Sequence, residues 1–166
     1  MAKGKSKQQE DTQTEFQEKV LYINRCSKVV TGGRKFSFSA LVIIGDGKGR
    51  VGIGFAKANE VSDAIRKGGE SARKNILEFE LDGSTIPHDI MCDWDGARVL
   101  LKRAKVGTGV IGGSKVRAVL EISGIKDVVA KSLGSSNPSN QVKATFKALS
   151  ELKNRKETLA TRGITA

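Results

Sequence analysis

The chain has 166 residues, 38% of them hydrophobic, with one Trp, one Tyr and six Phe, so any core it buries is mainly aliphatic. Twenty-nine Lys and Arg outnumber 18 Asp and Glu for a net charge of +11, and a pI near 9.8 points to a polyanionic partner, nucleic acid or an anionic membrane surface. No apolar run approaches the roughly 20 residues of a membrane span, the N-terminal Met-Ala-Lys-Gly-Lys-Ser-Lys lacks the apolar stretch of a secretion signal, and Cys26, Cys92 and the single His88 are not spaced as zinc ligands.

Residues 1–14 carry Lys, Gln, Ser, Thr and acids with almost nothing to bury, and read as a disordered arm. Three strand-like runs follow. Val20 to Val30 is rich in β-branched residues; Arg34 to Ile44 alternates, with Phe36, Phe38, Ala40, Val42 and Ile44 on one face; Arg50 to Lys57 alternates again, with Val51, Ile53 and Phe55 inward. Thr31-Gly32-Gly33 and Gly45-Asp46-Gly47-Lys48-Gly49 suit tight hairpins, so a three-stranded antiparallel meander is expected. A helix over about 59–77 comes next, with Val61, Ile65, Ala72 and Ile76 as its apolar stripe. Gly68 and Gly69 interrupt it at about 1 kcal/mol each relative to Ala, which predicts a helix seated close to the sheet. The first unit is β-β-β-α over 15–79.

Between Glu78 and Asp95 the charge reverses: Glu78, Glu80, Asp82, Asp89, Asp93 and Asp95 occur without one Lys or Arg. With Gly83 and Pro87 present, residues 80–96 read as an acidic linker and a strand leading into a second domain over 97–153. That domain has a strand from Arg98 to Val106, a glycine-rich loop from Gly107 to Gly113, a helix from Ser114 to Ser123 and a strand from Asp127 to Leu133. Ser135-Ser136-Asn137-Pro138 then supplies an N-cap and a proline for a last helix, with Val142, Phe146, Leu149 and Leu152 on one face. Residues 154–166 read as a mobile basic tail. The fold class is α+β, with a β-β-β-α domain followed by a β-α-β-α two-layer domain.

The basic charge clusters. From Val20 to Lys57 seven cations, Arg25, Lys28, Arg34, Lys35, Lys48, Arg50 and Lys57, stand against one acid, Asp46. The following helix adds Arg66, Lys67, Arg73 and Lys74, which share one side at seven-residue spacing. Such a surface suits nucleic acid, where neutralised phosphates release counterions. A merely solvated face would account for the helix stripe, but fits the strand and turn cluster poorly. On the third strand Gly52, Gly54 and Ala56 form a smooth outward track, open either to another backbone or to a packed helix.

Two glycine patterns resemble nucleotide loops. Gly47-x-Gly49-x-x-Gly52 leads into a strand, where a dinucleotide fingerprint must open a helix. Gly107-x-Gly109-x-x-Gly112 lies between strand and helix, but Asp127 sits at the wrong end of the next strand for a ribose contact, and Gly112-Gly113-Ser114-Lys115 is not a Walker loop. The better reading is a close-approach loop flanked by Lys102, Arg103, Lys105, Lys115 and Arg117 that contacts RNA or another protein. His88 reads as an exposed loop histidine, and Asp93 and Asp95 as turn residues rather than a metal pair. No enzyme, cofactor, metal or small-molecule substrate is expected.

These residues resemble a known family. Phe-Ser-Phe-Ser-Ala-Leu (36–41), Gly-Asp-Gly-Lys-Gly-Arg-Val-Gly-Ile-Gly (45–54) and Ala-Ile-Arg-Lys (64–67) are similar to the first domain of the bacterial small-subunit ribosomal protein S-five family. Gly-Thr-Gly-Val-Ile-Gly-Gly (107–113), Arg-Ala-Val-Leu-Glu (117–121), Ala-Lys-Ser-Leu-Gly-Ser-Ser-Asn-Pro (130–138) and Lys-Ala-Thr (143–145) are similar to its second. The likeness spans about residues 16–155 in order. It implies a first domain like a double-stranded-RNA-binding fold and a second of the left-handed β-α-β type. It also implies a cytoplasmic protein of the small ribosomal subunit that binds small-subunit rRNA, neighbours the S-four and S-eight proteins, and lies near the path by which messenger RNA enters, supporting assembly, decoding accuracy and messenger unwinding. The segment Asn24 to Lys28, running on through Gly32 to Gly33, would lie on rRNA near the spectinomycin site. Gly107, Gly109 and Arg117 would border S-four. Ala56, Gly68-Gly69, Gly112 and Ser114-Lys115 depart from the family's usual residues. A double-stranded-RNA binder outside the ribosome and a nucleotide-binding enzyme are the alternatives.

Overall fold

The computed structural model describes residues 16–154, 158–159 and 161–163; the arm expected over 1–14 and part of the expected tail lie outside them. Strands β1 (Gln17–Val30), β2 (Gly33–Gly45) and β3 (Arg50–Ala58) form the expected antiparallel meander, and helix α1 (Val61–Lys74) packs on it. The helix is shorter than expected because Asn75 leaves helical geometry (φ −117°, ψ 54°) and the chain adds a short strand β4 (Ile76–Glu78) to the free edge of β3. The sheet order is β1-β2-β3-β4.

Close seating of α1 depends on glycines from both partners. A Cβ on Gly52 would strike the Ala72 carbonyl, and one on Gly54 the Gly68 carbonyl. A Cβ on Gly68 would lie 2.8 Å from Val42 Cγ2. The smooth track on β3 is therefore filled by the helix. Gly69 is different, lying against the Glu18 carboxylate rather than the sheet.

The second half comprises β5 (Ile90–Trp94), β6 (Ala97–Arg103), β7 (Val110–Ile111), α2 (Ser114–Ile122), β8 (Val128–Gly134) and α3 (Pro138–Ser150), with sheet order β5-β6-β8-β7. Only β7 and β8 pair in parallel. The β-α-β-α order expected from sequence thus gains the two-residue β7, and the strand expected to lead into this domain is β5, inside the stretch 80–96 read as acidic linker and entry strand. Asp95 (φ 45°) and Gly96 (φ 78°) turn it back into β6, the positive-φ pair that a two-residue hairpin requires. Asn137 caps α3 as expected, its Oδ1 accepting from the Ser139 N–H at 3.1 Å ahead of Pro138. Among the described tail residues, Arg162 N–H donates to the Thr158 carbonyl at 3.3 Å, a helical turn.

One core joins the two halves. Ala40 and Val42 of β2 meet Ala64 of α1 on one side of the sheet. Leu41 and Ile43 face the other way and join Val51, Val119, Leu120, Val142 and Leu149. Alternation in the sequence predicts burial of only one face of β2; the second is covered by α2, α3 and the sheet beyond them. The β2–β3 turn completes the joint. Gly47 N–H donates to Ile122 O (3.2 Å) and Gly49 N–H to Ser123 O (2.9 Å), satisfying carbonyls that the end of α2 leaves unpaired. A Cβ on Gly45 would collide with the Ile122 carbonyl.

Because the core is continuous, urea unfolding followed by far-UV circular dichroism and by Trp fluorescence is expected to give coincident single transitions. Gly45→Ala should lower stability by about 1–3 kcal/mol. Two separated wild-type transitions would contradict a shared core.

Candidate nucleic-acid interface

The β1–β2 hairpin extends well past the core. Burial on β2 begins at Ser39, while Gly33–Phe36 and most of β1 from Tyr22 to Val29 are exposed. The register sorts the side chains of this arm into two faces. Lys28 stands directly opposite Lys35, Cys26 opposite Ser37 and Asn24 opposite Ser39, on the face that continues into Leu41. Val29 opposes Arg34, Ser27 opposes Phe36 and Arg25 opposes Phe38, on the α1 side. Arg25 lies over the Phe36 ring at 4.7 Å. Val29 is 76% and Phe36 48% exposed, so apolar surface accompanies the charge.

Facing lysines are unfavourable in a sheet, and no acid lies between Val20 and Gly45 to offset them. The turn bends at Thr31-Gly32, and Gly32 (φ 102°) and Gly33 (φ 154°) have open space where a Cβ would stand. A polyanion can therefore approach this backbone closely. Lys57, opposite Ser39 on the lysine face, extends the same surface.

The remaining predicted cations do not join this group. Successive turns of a meander lie at opposite ends, so Lys48 and Arg50 are about 40 Å from the arm's tip, the length of β2 at roughly 3.3 Å per residue. Asp46 also organises their turn: its carboxylate accepts from the N–H groups of Lys48 (2.8 Å) and Arg50 (3.1 Å) and from Arg50 Nε (2.7 Å). Burial opposes ionisation of Asp46, but these donors outweigh it and hold the group below its usual 3.8. On α1, Arg66 bridges Asp63 and Glu70, and Arg73 bridges Glu18 at 2.9 Å, while Lys74 is exposed at the helix end. Gly52 and Gly54, expected to receive a ligand backbone, are sealed beneath α1 and offer no such surface.

In the second half, Gly107 (φ 89°) and Gly109 (φ 77°) form an open loop as expected. Its amides turn inward. Asp127 is buried, and its Oδ1 accepts from the Gly109 N–H at 2.9 Å. The nearby Ser84 hydroxyl, outside strict hydrogen-bond geometry, and the backbone amides of Gly109, Gly107 and Thr108 hold this carboxyl below 3.8 against the opposing effect of burial. A phosphate-binding loop needs those amides for its ligand; here a carboxylate occupies them. Arg117 is exposed and paired with Glu121 at 2.7 Å. Lys115, expected at an outer interface, instead donates to the Leu21 carbonyl (3.2 Å) and lies 5.4 Å from the Tyr22 ring centroid, a strut between α2 and β1.

Other polar residues hold the fold. Asp93 receives Arg98 through two bonds, and Asp95 receives the Asn140 amide. His88 is half-buried rather than exposed, its Nε2 accepting from the Lys153 N–H at 3.1 Å. Burial and the adjacent Glu151 carboxylate push the Cys92 thiol up to about 12, leaving it protonated and unreactive at neutral pH.

Comparison with known proteins finds matches over nearly the whole chain. Residues 16–80 match the family described as ribosomal protein S5, N-terminal domain, and residues 92–162 match ribosomal protein S5, C-terminal domain. The small ribosomal subunit protein uS5 of Protochlamydia amoebophila is 66% identical over 158 residues, covering 95% of each chain. Its counterpart in Chlamydia felis is 61% identical over 166 residues, covering 99% of each.

A depressed carboxyl contributes stability that is present above its unfolded pKa and lost as pH falls through the folded one. Asp127→Asn is therefore expected to lower stability at pH 7, with the gap from wild type narrowing as pH drops below 3.8. Urea midpoints at pH 7 and pH 3 check this; a gap that widens in acid would contradict the assignment.

Proposed function

The chain belongs to the ribosomal protein S5 family, and from that premise we propose that it is a structural, non-catalytic constituent of the small ribosomal subunit that docks its β1–β2 arm on small-subunit rRNA. In this reading it supports subunit assembly, decoding accuracy and messenger entrance, with the second half contacting neighbouring proteins, S-four and S-eight among them. The observation that carries the reading is the opposition of Lys28 and Lys35 on an arm without acids. Such a pair is unfavourable in the free chain and becomes favourable against ordered phosphates.

Contact is chiefly with backbone and shape. The arm ends in a two-residue turn with bare glycines, and its cations alternate between faces, so it can lie between two phosphate-lined surfaces. Arg25, Lys28, Arg34 and Lys35 carry the contact, and Lys57 extends it. Arg66, Arg73 and Arg50 act first within the protein, through the ion pairs described above. The exposed Gly107–Gly109 loop and Arg117 suit a protein neighbour better than a nucleotide, because the loop amides are already engaged by Asp127.

Charge reversal at Arg25, Lys28 and Arg34 in the full chain is expected to weaken binding to small-subunit rRNA at least tenfold. It should also flatten the salt dependence, by about one unit of slope for each phosphate that is no longer neutralised. The same change at Lys153, Arg155 and Lys156 should do much less. Filter binding across a salt series measures both, and equal weakening in the two variants would remove the arm's special role.

A further inference from the structure

Beside β3, the two halves leave an open cleft of about 500 Å3, within the size range of small-ligand sites. Its walls include Leu41, Ile53, Phe55, Trp94 and Phe146. Phe55 is 50% and Trp94 42% exposed, so aromatic surfaces from different halves open to solvent in one place. Lys143 stands at the rim with its Nζ 5.7 Å from the Trp94 ring centroid.

The cleft continues the lysine-bearing face of the arm. Lys28 pairs with Lys35, Lys57 with Ser39, and Phe55 with Leu41, all on one face of the sheet. Lys57 holds its Nζ 6.0 Å from the Phe55 ring centroid. A row of cations thus runs from the arm to two exposed aromatic rings and ends at another cation. A single strand of nucleic acid has the matching sequence of features, a charged backbone with a flat apolar base on each unit. A duplex keeps its bases stacked inside, and an apolar peptide would leave the lysines without counter-charge.

We infer that this cleft receives an unpaired nucleobase of small-subunit rRNA, stacked against Trp94 or Phe55, while Lys57 and Lys143 hold the flanking phosphates. The inference rests on the rRNA-binding reading above and adds a single-stranded, base-contacting site to an arm that reads backbone and shape. Ribosomal RNA is the source because the lysine face is shared with the arm.

Trp94 is the chain's one tryptophan, so its emission reports on the cleft. The full chain is titrated with oligouridine and with an abasic ribose-phosphate strand of equal length. Oligouridine is expected to quench Trp94 and the abasic strand to leave it unchanged. By anisotropy of a labelled strand, Phe55→Ala and Trp94→Ala should each weaken binding about tenfold, the scale of one base–aromatic stack, and Trp94→Phe should retain it. Lys143→Glu, a change at an exposed position of α3, gives a second test that spares the core and should also weaken binding. In purified small subunits without messenger, a photo-crosslinker at position 94 should join rRNA. Equal quenching by the two strands, unchanged affinity in both alanine variants, a crosslink to protein, or an RNA crosslink that needs added messenger would each overturn the inference. If the Arg25, Lys28 and Arg34 dependence of rRNA binding persists in that case, only the base site falls; if it is absent too, the reading beneath it falls as well.

Discussion

Burial of β2 on both faces is the constraint from which the rest follows. Ala40 and Val42 are sealed against α1, and Leu41 and Ile43 against the core shared with α2 and α3. A strand held from both sides has one register available, since a one-residue slip would exchange two different packing surfaces. At its far end the Gly45–Gly49 turn is hydrogen-bonded to the last carbonyls of α2. Only the first part of β2, with its partner in β1, is left outside this clamp, and it projects as an arm with a fixed base.

Charge distribution follows the same division. On the packed body several cations have acidic partners: Arg50 on Asp46, Arg73 on Glu18, Lys19 and Arg117 on Glu121. The exposed pairs among these each contribute at most about 1 kcal/mol, whereas the Asp46 carboxylate of the first is buried. On the arm the pattern changes, and like charges face each other across the ladder. The net charge of +11 is therefore a poor guide to where a polyanion binds. The facing arrangement of a few residues at the arm is the better one, because like charges held opposite each other gain most from an outside anion.

Much of the fold was legible in the sequence for local reasons. Alternation and glycine turns fixed the meander, and Asn137-Pro138 announced α3. The short strands were not legible, since β4 and β7 span three and two residues and exist only because a neighbouring edge is available. The β5–β6 hairpin had a readable signal in Asp95-Gly96, obscured by the acidic charge around it. Two-sided burial of β2 depends on residues more than 70 positions away and has no local signature. The candidate site was legible in composition but not in geometry. Seven cations are close in sequence, yet the meander sends Lys48 and Arg50 to the opposite end from Arg34. Gly52 and Gly54 looked equally suited to a ligand or a helix, and tertiary packing decided for the helix. Asp46 and Asp127 carry the main polar anchoring of the two glycine loops, roles set by which amides the chain folds around them.

The central claim is that the projecting arm lies against ordered rRNA. The direct measurement is hydroxyl-radical cleavage from an iron chelate tethered at position 29, through Val29→Cys in a chain carrying Cys26→Ser, assembled into purified small subunits. Cys92 is buried and stays unmodified. Strong cuts confined to a few neighbouring rRNA segments, absent when the tether is moved to the exposed Lys74, are the predicted result. No cuts, or weak cuts scattered equally from both positions, would show the arm standing in solvent and contradict the account.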